Sequence, residues 1–438
     1  MADLIGLSTR IIDSGVASEP VNRTSNELSE VADGLAMVES FSHSVVWDSG
    51  EGLVAFDASH VNTGRQVVDA IAGWRPGPFS HLVFTHGHVD HVGGTGAFLA
   101  RNEGAPLRIV GHENVARRFA RYRETNDWNV AINRRQFGGI RGDLNAVMND
   151  LRPAAGPRLD DFIPGDLPDP SDVIGDFASW TIGGETIEFH HGRGETDDHL
   201  WSWFPGRKWV ATGDFIIWNF PNAGNPQKVQ RWPLDWANAL RAIAAKEPEL
   251  LLPAHGLPIA GRERIARVLD EIATALETLV RETVEMMNAG ETLNTIIHAV
   301  KVPDDILAKP YLRPLYDEPE FVVRNIWRLY GGWWDGAPSH LKPSPDADLA
   351  RELAAVAGGA DVLIRRAQEI AAGGDLRLAC HLADFAGWAA PDDPGVHQIR
   401  AEIYETRRKF ESSLMSKGIF RGAARESEAV VKAALGEG

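Results

Sequence analysis

The sequence predicts a layered α/β sandwich followed by an all-α region, on two observations. Up to about residue 260, short apolar runs bounded by Gly, Pro and Asp alternate with helical stretches. From about Gly261 onward the apolar residues recur at helical spacing instead. A chain of 438 residues is also too long for one ordinary core. Leu53 to Ala58, His81 to Thr85, Leu107 to Val110, Trp209 to Thr212 and Glu249 to Leu252 read as buried strands. Gly94 to Arg101 and Glu113 to Arg123 read as helices between them. Strands that alternate with helices and sometimes pair as hairpins define a mixed, layered sheet domain.

The helical pattern opens with Ile265, Val268, Leu269, Ile272, Leu276 and Leu279, one face of a long amphipathic helix. Pro303, Pro310, Pro314 and Pro319 then punctuate a loop-rich crossing. After Pro345 the pairs Gly358-Gly359 and Gly373-Gly374 and the run Pro391 to Pro394 separate helices of roughly a dozen residues, a spacing that suggests antiparallel helix pairs of the tetratricopeptide kind. The boundary is placed near residue 305, giving domains 1–304 and 305–438.

A formal net charge of -17 argues against nucleic acid, whose binding needs a Lys/Arg surface to release counterions. No window reaches the ~18 consecutive apolar residues of a membrane span, and no basic, then apolar, leader follows Met1. The expected location is cytoplasmic and the expected partner a small-molecule substrate. The single cysteine, Cys380, excludes an intramolecular disulfide and a thiolate cluster. Any metal must be held by His, Asp and Glu.

Such residues concentrate in Thr85-His86-Gly87-His88-Val89-Asp90-His91, directly after an apolar strand and before Gly93-Gly94 opens a helix. Residues that leave a strand and curl through a turn aim several side chains at one point. Four donors in six residues suffice to begin two adjacent metal sites, for which imidazole and carboxylate suit zinc. Asp57, closing the strand Leu53 to Phe56, is either an acceptor for a ligand histidine's other ring N–H or a turn-capping residue.

The run resembles the His-x-His-x-Asp-His motif of the metallo-β-lactamase superfamily, which implies a four-layer αββα sandwich with the metal site at one edge. The resemblance implies three further ligands. Glu195, in Gly194-Glu195-Thr196-Asp197-Asp198-His199, would complete the first metal with His86 and His88, with His199 as second choice. A Glu here is what the type III alkylsulfatase branch shows. Asp214, ending Trp209 to Gly213, would bridge the two metals, where that branch uses Glu. His255, in Pro253-Ala254-His255-Gly256, would complete the second metal with Asp90 and His91. Asp90 is also placed to relay a proton, and Asp197 and Asp198 read as turn or supporting residues.

The segment Tyr311 to Gly336, continuing through Pro338, His340, Leu341, Lys342 and Pro343, resembles the start of the alkylsulfatase dimerisation domain. The resemblance implies an all-α dimerisation domain, a homodimer, two Zn²⁺ per subunit and cleavage of alkyl sulfate esters by a metal-activated hydroxide. A lactone or carboxylic-ester hydrolase on the same site is the alternative, and a dimeric binding protein with a structural metal is a third reading. Of the aromatic residues Trp327, Tyr330, Trp333 and Trp334, at least two are expected in the helical core and the rest on an intersubunit surface. Sulfate needs cationic or N–H donors. Arg193, Arg231 and Arg241 lie near the motifs in sequence, and the Trp- and Asn-rich stretch Phe215 to Trp236 follows the bridging carboxylate. Arg231, Trp218 and Asn219 are the substrate-binding candidates.

Overall fold

The computed structural model describes residues 2–136 and 161–436. After α1 (Leu4–Ser14), the first sheet has the order β1 (Leu28–Ala32), β2 (Leu35–Val38), β3 (Ser44–Asp48), β4 (Leu53–Phe56), β5 (Phe79–Val83), β6 (Arg108–His112) and β7 (Asp172–Ile174). Its helices are α2 (Gly64–Trp74), α3 (Val89–Val92), α4 (Thr95–Arg101), α5 (Val115–Glu124) and α6 (Asn126–Gln136). The second sheet runs from β8 (Phe177–Ile182) through β9 (Glu185–His191), β10 (Leu200–Phe204), β11 (Trp209–Gly213) and β12 (Leu250–Pro253) to β13 (Ile259–Ala260). Over it lie α7 (Pro233–Ala245) and α8 (Arg262–Asn288).

The expected four layers are present. Leu82, Phe84, Phe98, Val115 and Phe119 fill the layer between the first sheet and its helices. Trp47, Phe56, Phe204 and Trp209 lie between the sheets, with Trp47 and Phe204 edge to face at 5.4 Å. Strands β4, β5 and β6 are parallel, as are β11 and β12, and β4, β11 and β12 are buried along their whole length. Burial on both faces explains why these strands read as continuous apolar runs rather than alternating ones.

Two predicted strands end early, both because of the site. Asp57 adopts a positive φ of 63°, which stops β4 at Phe56. The Thr85 N–H leaves the ladder to donate to Asp57 Oδ1 at 2.8 Å, which ends β5 at Val83.

Beyond α8 come α9 (Leu293–Ala299), α10 (Asp304–Leu307) and α11 (Pro319–Gly331), followed by α12 (Pro338–Leu341), α13 (Asp346–Ala357), α14 (Ala360–Ala372), α15 (Leu376–Ala389), α16 (Pro394–Lys409) and α17 (Leu414–Ala434). By compactness, the described residues 2–131 and 161–332 form one unit, and 132–136 with 333–436 a second. The second is all-helical, and its core is built largely of small side chains: Ala354, Ala367, Ala379, Ala383 and Ala386 with Leu363, Ile364 and Val396. Of the four aromatics expected to divide between core and surface, only Trp327 packs on a core, whereas Tyr330, Trp333 and Trp334 are exposed at 51%, 69% and 39%. Among the described residues, no helix is long and apolar enough to cross a membrane.

Glycine 224 fixes the loop after β11 against the start of α11. A Cβ there would lie 2.2 Å from Val322 N, with backbone on all near sides, so nothing flexible can yield. Gly224→Ala is expected to lower the urea midpoint, at a cost of about 1–3 kcal/mol or more; an unchanged midpoint would show that the loop relaxes freely.

Candidate metal centre

The donors converge where parallel strands end. Asp57 follows β4, His86 follows β5, Asp214 follows β11 and His255 follows β12. This is the crevice beyond the carboxyl ends of strands, where side chains leave the sheet with no ladder to satisfy.

Two groups of donor atoms lie within 4.8 Å of one another: His86, His88 and Asp214, and Asp90, His91 and His255. In the first, His86 Nε2 faces His88 Nδ1 at 2.8 Å, and Asp214 Oδ2 is 3.9 Å from His86 Nε2. In the second, Asp90 Oδ2 lies 3.5 Å from His91 Nε2 and 3.3 Å from His255 Nε2. Asp214 touches both, with Oδ2 3.4 Å from His91 Nε2 and Oδ1 3.6 Å from His255 Nε2.

Asp57 sets the tautomers of two of these rings. The His91 Nδ1–H donates to Asp57 Oδ2 at 2.7 Å, which turns Nε2 toward the site. Thr85 Oγ1 donates its proton to Asp57 Oδ2 at 2.8 Å and so accepts from His86 Nδ1 at 3.1 Å. His86 Nε2 therefore carries a lone pair inward. Ser42 Oγ lies 3.1 Å from His91 Nδ1, and His43 Nε2 accepts from Gly256 N at 3.1 Å, bracing the turn that carries His255. Burial holds His43 neutral, its imidazole pulled down to about 3. Neither Ser42 nor His43 stands out in the sequence, because only the tertiary fold brings the β2–β3 turn to the donor cluster.

Electrostatics separate the two groups. Burial, with His91 beside His86 and Arg118 beside His88, holds both rings well below the ordinary imidazole value, leaving neutral nitrogens. Burial also opposes charge on His91, but Asp214, Asp57 and Asp90 outweigh it and hold that ring well above its ordinary value. Around His255, Asp214 and Asp90 likewise outweigh burial. Carboxylates concentrated in a buried space call for compensating positive charge. His91 Nε2 and Asp214 Oδ1 are buried without a hydrogen-bond partner. Neutral imidazole nitrogens, carboxylates and orphaned inward atoms together fit divalent metal ions.

Glu195 stands beside the first group rather than within it. Its Oε1 is 3.7 Å from His88 Nδ1 but accepts from Arg231 Nη1 at 2.6 Å and from Asn222 Nδ2 at 2.5 Å. Burial pushes its carboxyl up to about 7, with Arg231 opposing. His199, the second choice, is not brought into either group: Nε2 accepts from Asp214 N at 3.2 Å, and the ring stacks on Phe215 at 4.1 Å. It orients the Asp214 backbone.

The substrate candidates divide. Arg231 is 2% exposed beside Glu195, and its Nε is buried without a partner. Trp218, by contrast, is fully buried; its indole N–H goes to Leu257 O at 2.8 Å, and a side chain on Gly256 would meet its ring at 2.3 Å. Its task is packing under the His255 turn, since an apolar aromatic after Asp214 serves a core as readily as a substrate wall. Asn219 donates to Ile217 O at 3.3 Å and leaves Oδ1 buried and unpartnered. Arg193 pairs with Asp235 at the surface, and Arg241 ties α7 to Asp270 and Glu277 of α8.

The loop carrying Arg231 is anchored by Asp317, whose Oδ2 accepts from Gly224 N and Oδ1 from Glu318 N, both at 2.7 Å. Burial pushes the Asp317 carboxyl up to about 7 against these bonds. The folded protein thus holds that proton more tightly than the unfolded chain does. The resulting stability is complete below the ordinary carboxylate range and is lost as pH rises through about 7. Relative to Asp317→Asn, which cannot ionise, the wild type is expected to lose urea stability between pH 4 and pH 8. Parallel pH profiles of the two proteins would refute it.

Comparison with known proteins places these features in context. Residues 39–255 match the metallo-beta-lactamase superfamily, and residues 292–429 match the alkyl sulfatase dimerisation family. A linear primary-alkylsulfatase from a Pseudomonas strain is 28% identical over 375 residues, covering 82% of this chain and 68% of that protein. An (R)-specific secondary-alkylsulfatase from Pseudomonas is 24% identical over 380 residues, covering 82% and 56%. The solved structure of a stereoselective inverting sec-alkylsulfatase from Pseudomonas aligns with a TM-score of 0.82 at 22% identity, covering 93% of this chain and 66% of that one. This chain therefore spans between 56% and 68% of the lengths of these relatives.

Proposed function

We propose that this chain, which belongs to the metallo-β-lactamase superfamily and carries an alkyl sulfatase dimerisation domain, is a two-zinc hydrolase that cleaves alkyl sulfate esters to alcohol and inorganic sulfate. The observation that carries the reading is a pair of adjacent three-donor groups in which Asp214 of the first also reaches His91 and His255 of the second, with the buried guanidinium of Arg231 beside Glu195. His86, His88 and Glu195 would hold one ion, Asp90, His91 and His255 the other, and Asp214 both. Two bound zinc ions supply Lewis acidity toward water and toward the ester oxygens.

The residues of the chain do the rest. Asp90 is held ionised, because His91 and His255 outweigh its burial, and the same charges lower its basicity, so it is placed to relay a proton rather than to keep one. Asp57 keeps His91 turned inward. Arg231, held by Glu195 and the Asn222 carbonyl, offers its unpartnered Nε–H to a sulfate oxygen. The division proposed at residue 305 falls inside the compact metal-bearing unit, which runs on to residue 332 and so includes α11, and exposed Trp333 and Trp334, just beyond it, suit the intersubunit surface of a homodimer.

The test is incubation of the zinc-loaded chain with alkyl sulfates of several lengths and assay of free sulfate. Sulfate release supports the reading. Acid release from lactones, with no sulfate from any alkyl sulfate, would transfer the site to the carboxylic-ester reading, which Asp rather than Glu at position 214 permits. Turnover unchanged in His91→Ala would return the metal to a structural role.

A further inference from the structure

We propose that Asp198 and Arg118 are positioning residues that hold the His86–Gly87–His88 turn and thereby set the affinity of the first ion. His86 is aimed by Thr85 and His91 by Asp57, but among the described residues no side chain is bonded to the outer nitrogen of His88. The aim of His88 must come from its backbone.

That backbone is clamped. Asp198 is fully buried, and its Oδ2 accepts from Gly87 N at 3.0 Å and from Arg118 Nε at 2.8 Å. Arg118, on α5 and 4% exposed, also pairs through Nη2 with the Asp197 carboxylate. The Asp197 carbonyl in turn accepts from Asn114 Nδ2 at 3.0 Å and His191 Nε2 at 3.1 Å. A Cβ on Gly87 would stand 2.9 Å from Arg118 Cδ and 2.9 Å from Asp198 Oδ2, so the turn is closed on the clamp with no room for a side chain. Asp198 lies three residues after Glu195. One carboxylate therefore joins the turn carrying two proposed ligands to the loop carrying a third. A guanidinium that holds Asp198 through Nε and Asp197 through Nη2 fixes such a junction better than a single contact, since its planar fork restricts both neighbouring residues at once.

The inference rests on the two-ion reading for the identity of what His86 and His88 hold. It predicts a loss confined to one ion, as supporting residues typically cost about 10- to 100-fold in metal affinity. Competition between the full-length protein and a zinc chelator should show the first ion weakened by about 10- to 100-fold in Asp198→Ala and Arg118→Lys. The second ion should stay within about twofold of wild type. Asp198→Asn, which keeps an oxygen for Gly87 N–H, should lose less than Asp198→Ala. Asp57→Asn, acting on His91, should weaken the second ion more than Asp198→Asn does. If Asp198→Ala fails to fold, Arg118→Lys and Asp198→Asn decide the matter. Equal weakening of both ions in step with a lowered melting temperature, or unchanged affinities, would overturn the positioning role. A wild type that binds no zinc would sink the two-ion reading and this inference with it.

Discussion

Asp214→Asn is expected to release both ions and abolish turnover, a larger effect than loss of any other single donor. Its two oxygens reach His86, His91 and His255, so among the described residues it is the one carboxylate that reaches both groups. Asn preserves the shape but removes the charge and replaces one acceptor oxygen with a donor. Burial makes that exchange costly, because Asp214 is 4% exposed and water cannot take over. Elemental analysis after dialysis should find less than one zinc per chain. The rate of sulfate release should fall well beyond the roughly 10- to 100-fold that a supporting residue costs. Asp90→Asn should remove the second ion alone. Retention of two ions and measurable turnover in Asp214→Asn would dismiss the bridging role.

Arg231→Met should lower alkyl sulfate cleavage by about 10²- to 10³-fold, the scale of losing a preorganised donor to a developing anion. The side chain is buried, bonded to Glu195 and Asn222, and carries an unpartnered Nε. Removing it strips Glu195 of its cation and, on the proposed reading, a sulfate oxygen of its donor. Arg231→Lys should not restore the rate, since a point charge cannot serve a carboxylate and a sulfate with the directions of a planar fork. Inhibition by added inorganic sulfate should weaken in both variants. Wild-type cleavage rates in Arg231→Met would remove Arg231 from sulfate recognition.

The layered α/β domain, the helical region after it and the places where donors leave strands were legible in the sequence. Continuous apolar strands ending in His or Asp need a buried sheet on both faces and leave the last residue free of the ladder. The spacing of His86, His88, Asp90 and His91 is local, so a single turn brings those four together wherever the chain goes next. Arg118, Ser42 and His43 were not legible, for the opposite reason. Each lies far in sequence from what it supports, on an element whose own pattern is that of an ordinary helix or turn.

Trp218 and Glu195 show the same division from the other side. The residue types after Asp214 suited a substrate wall, but which ring faces a cavity and which fills the core depends on how Gly256 and Leu257 pack above it. Glu195 occupies the expected loop, yet Arg231 and Asn222 claim one of its oxygens, a competition between groups 36 and 27 residues away. By itself the sequence determined the order of elements and the local cluster of candidate donors from His86 to His91, because both follow from periodicity and short-range spacing. Only the tertiary structure decided how each donor is aimed and which charge stands beside it, because hydrogen bonds and burial join residues that the chain keeps apart.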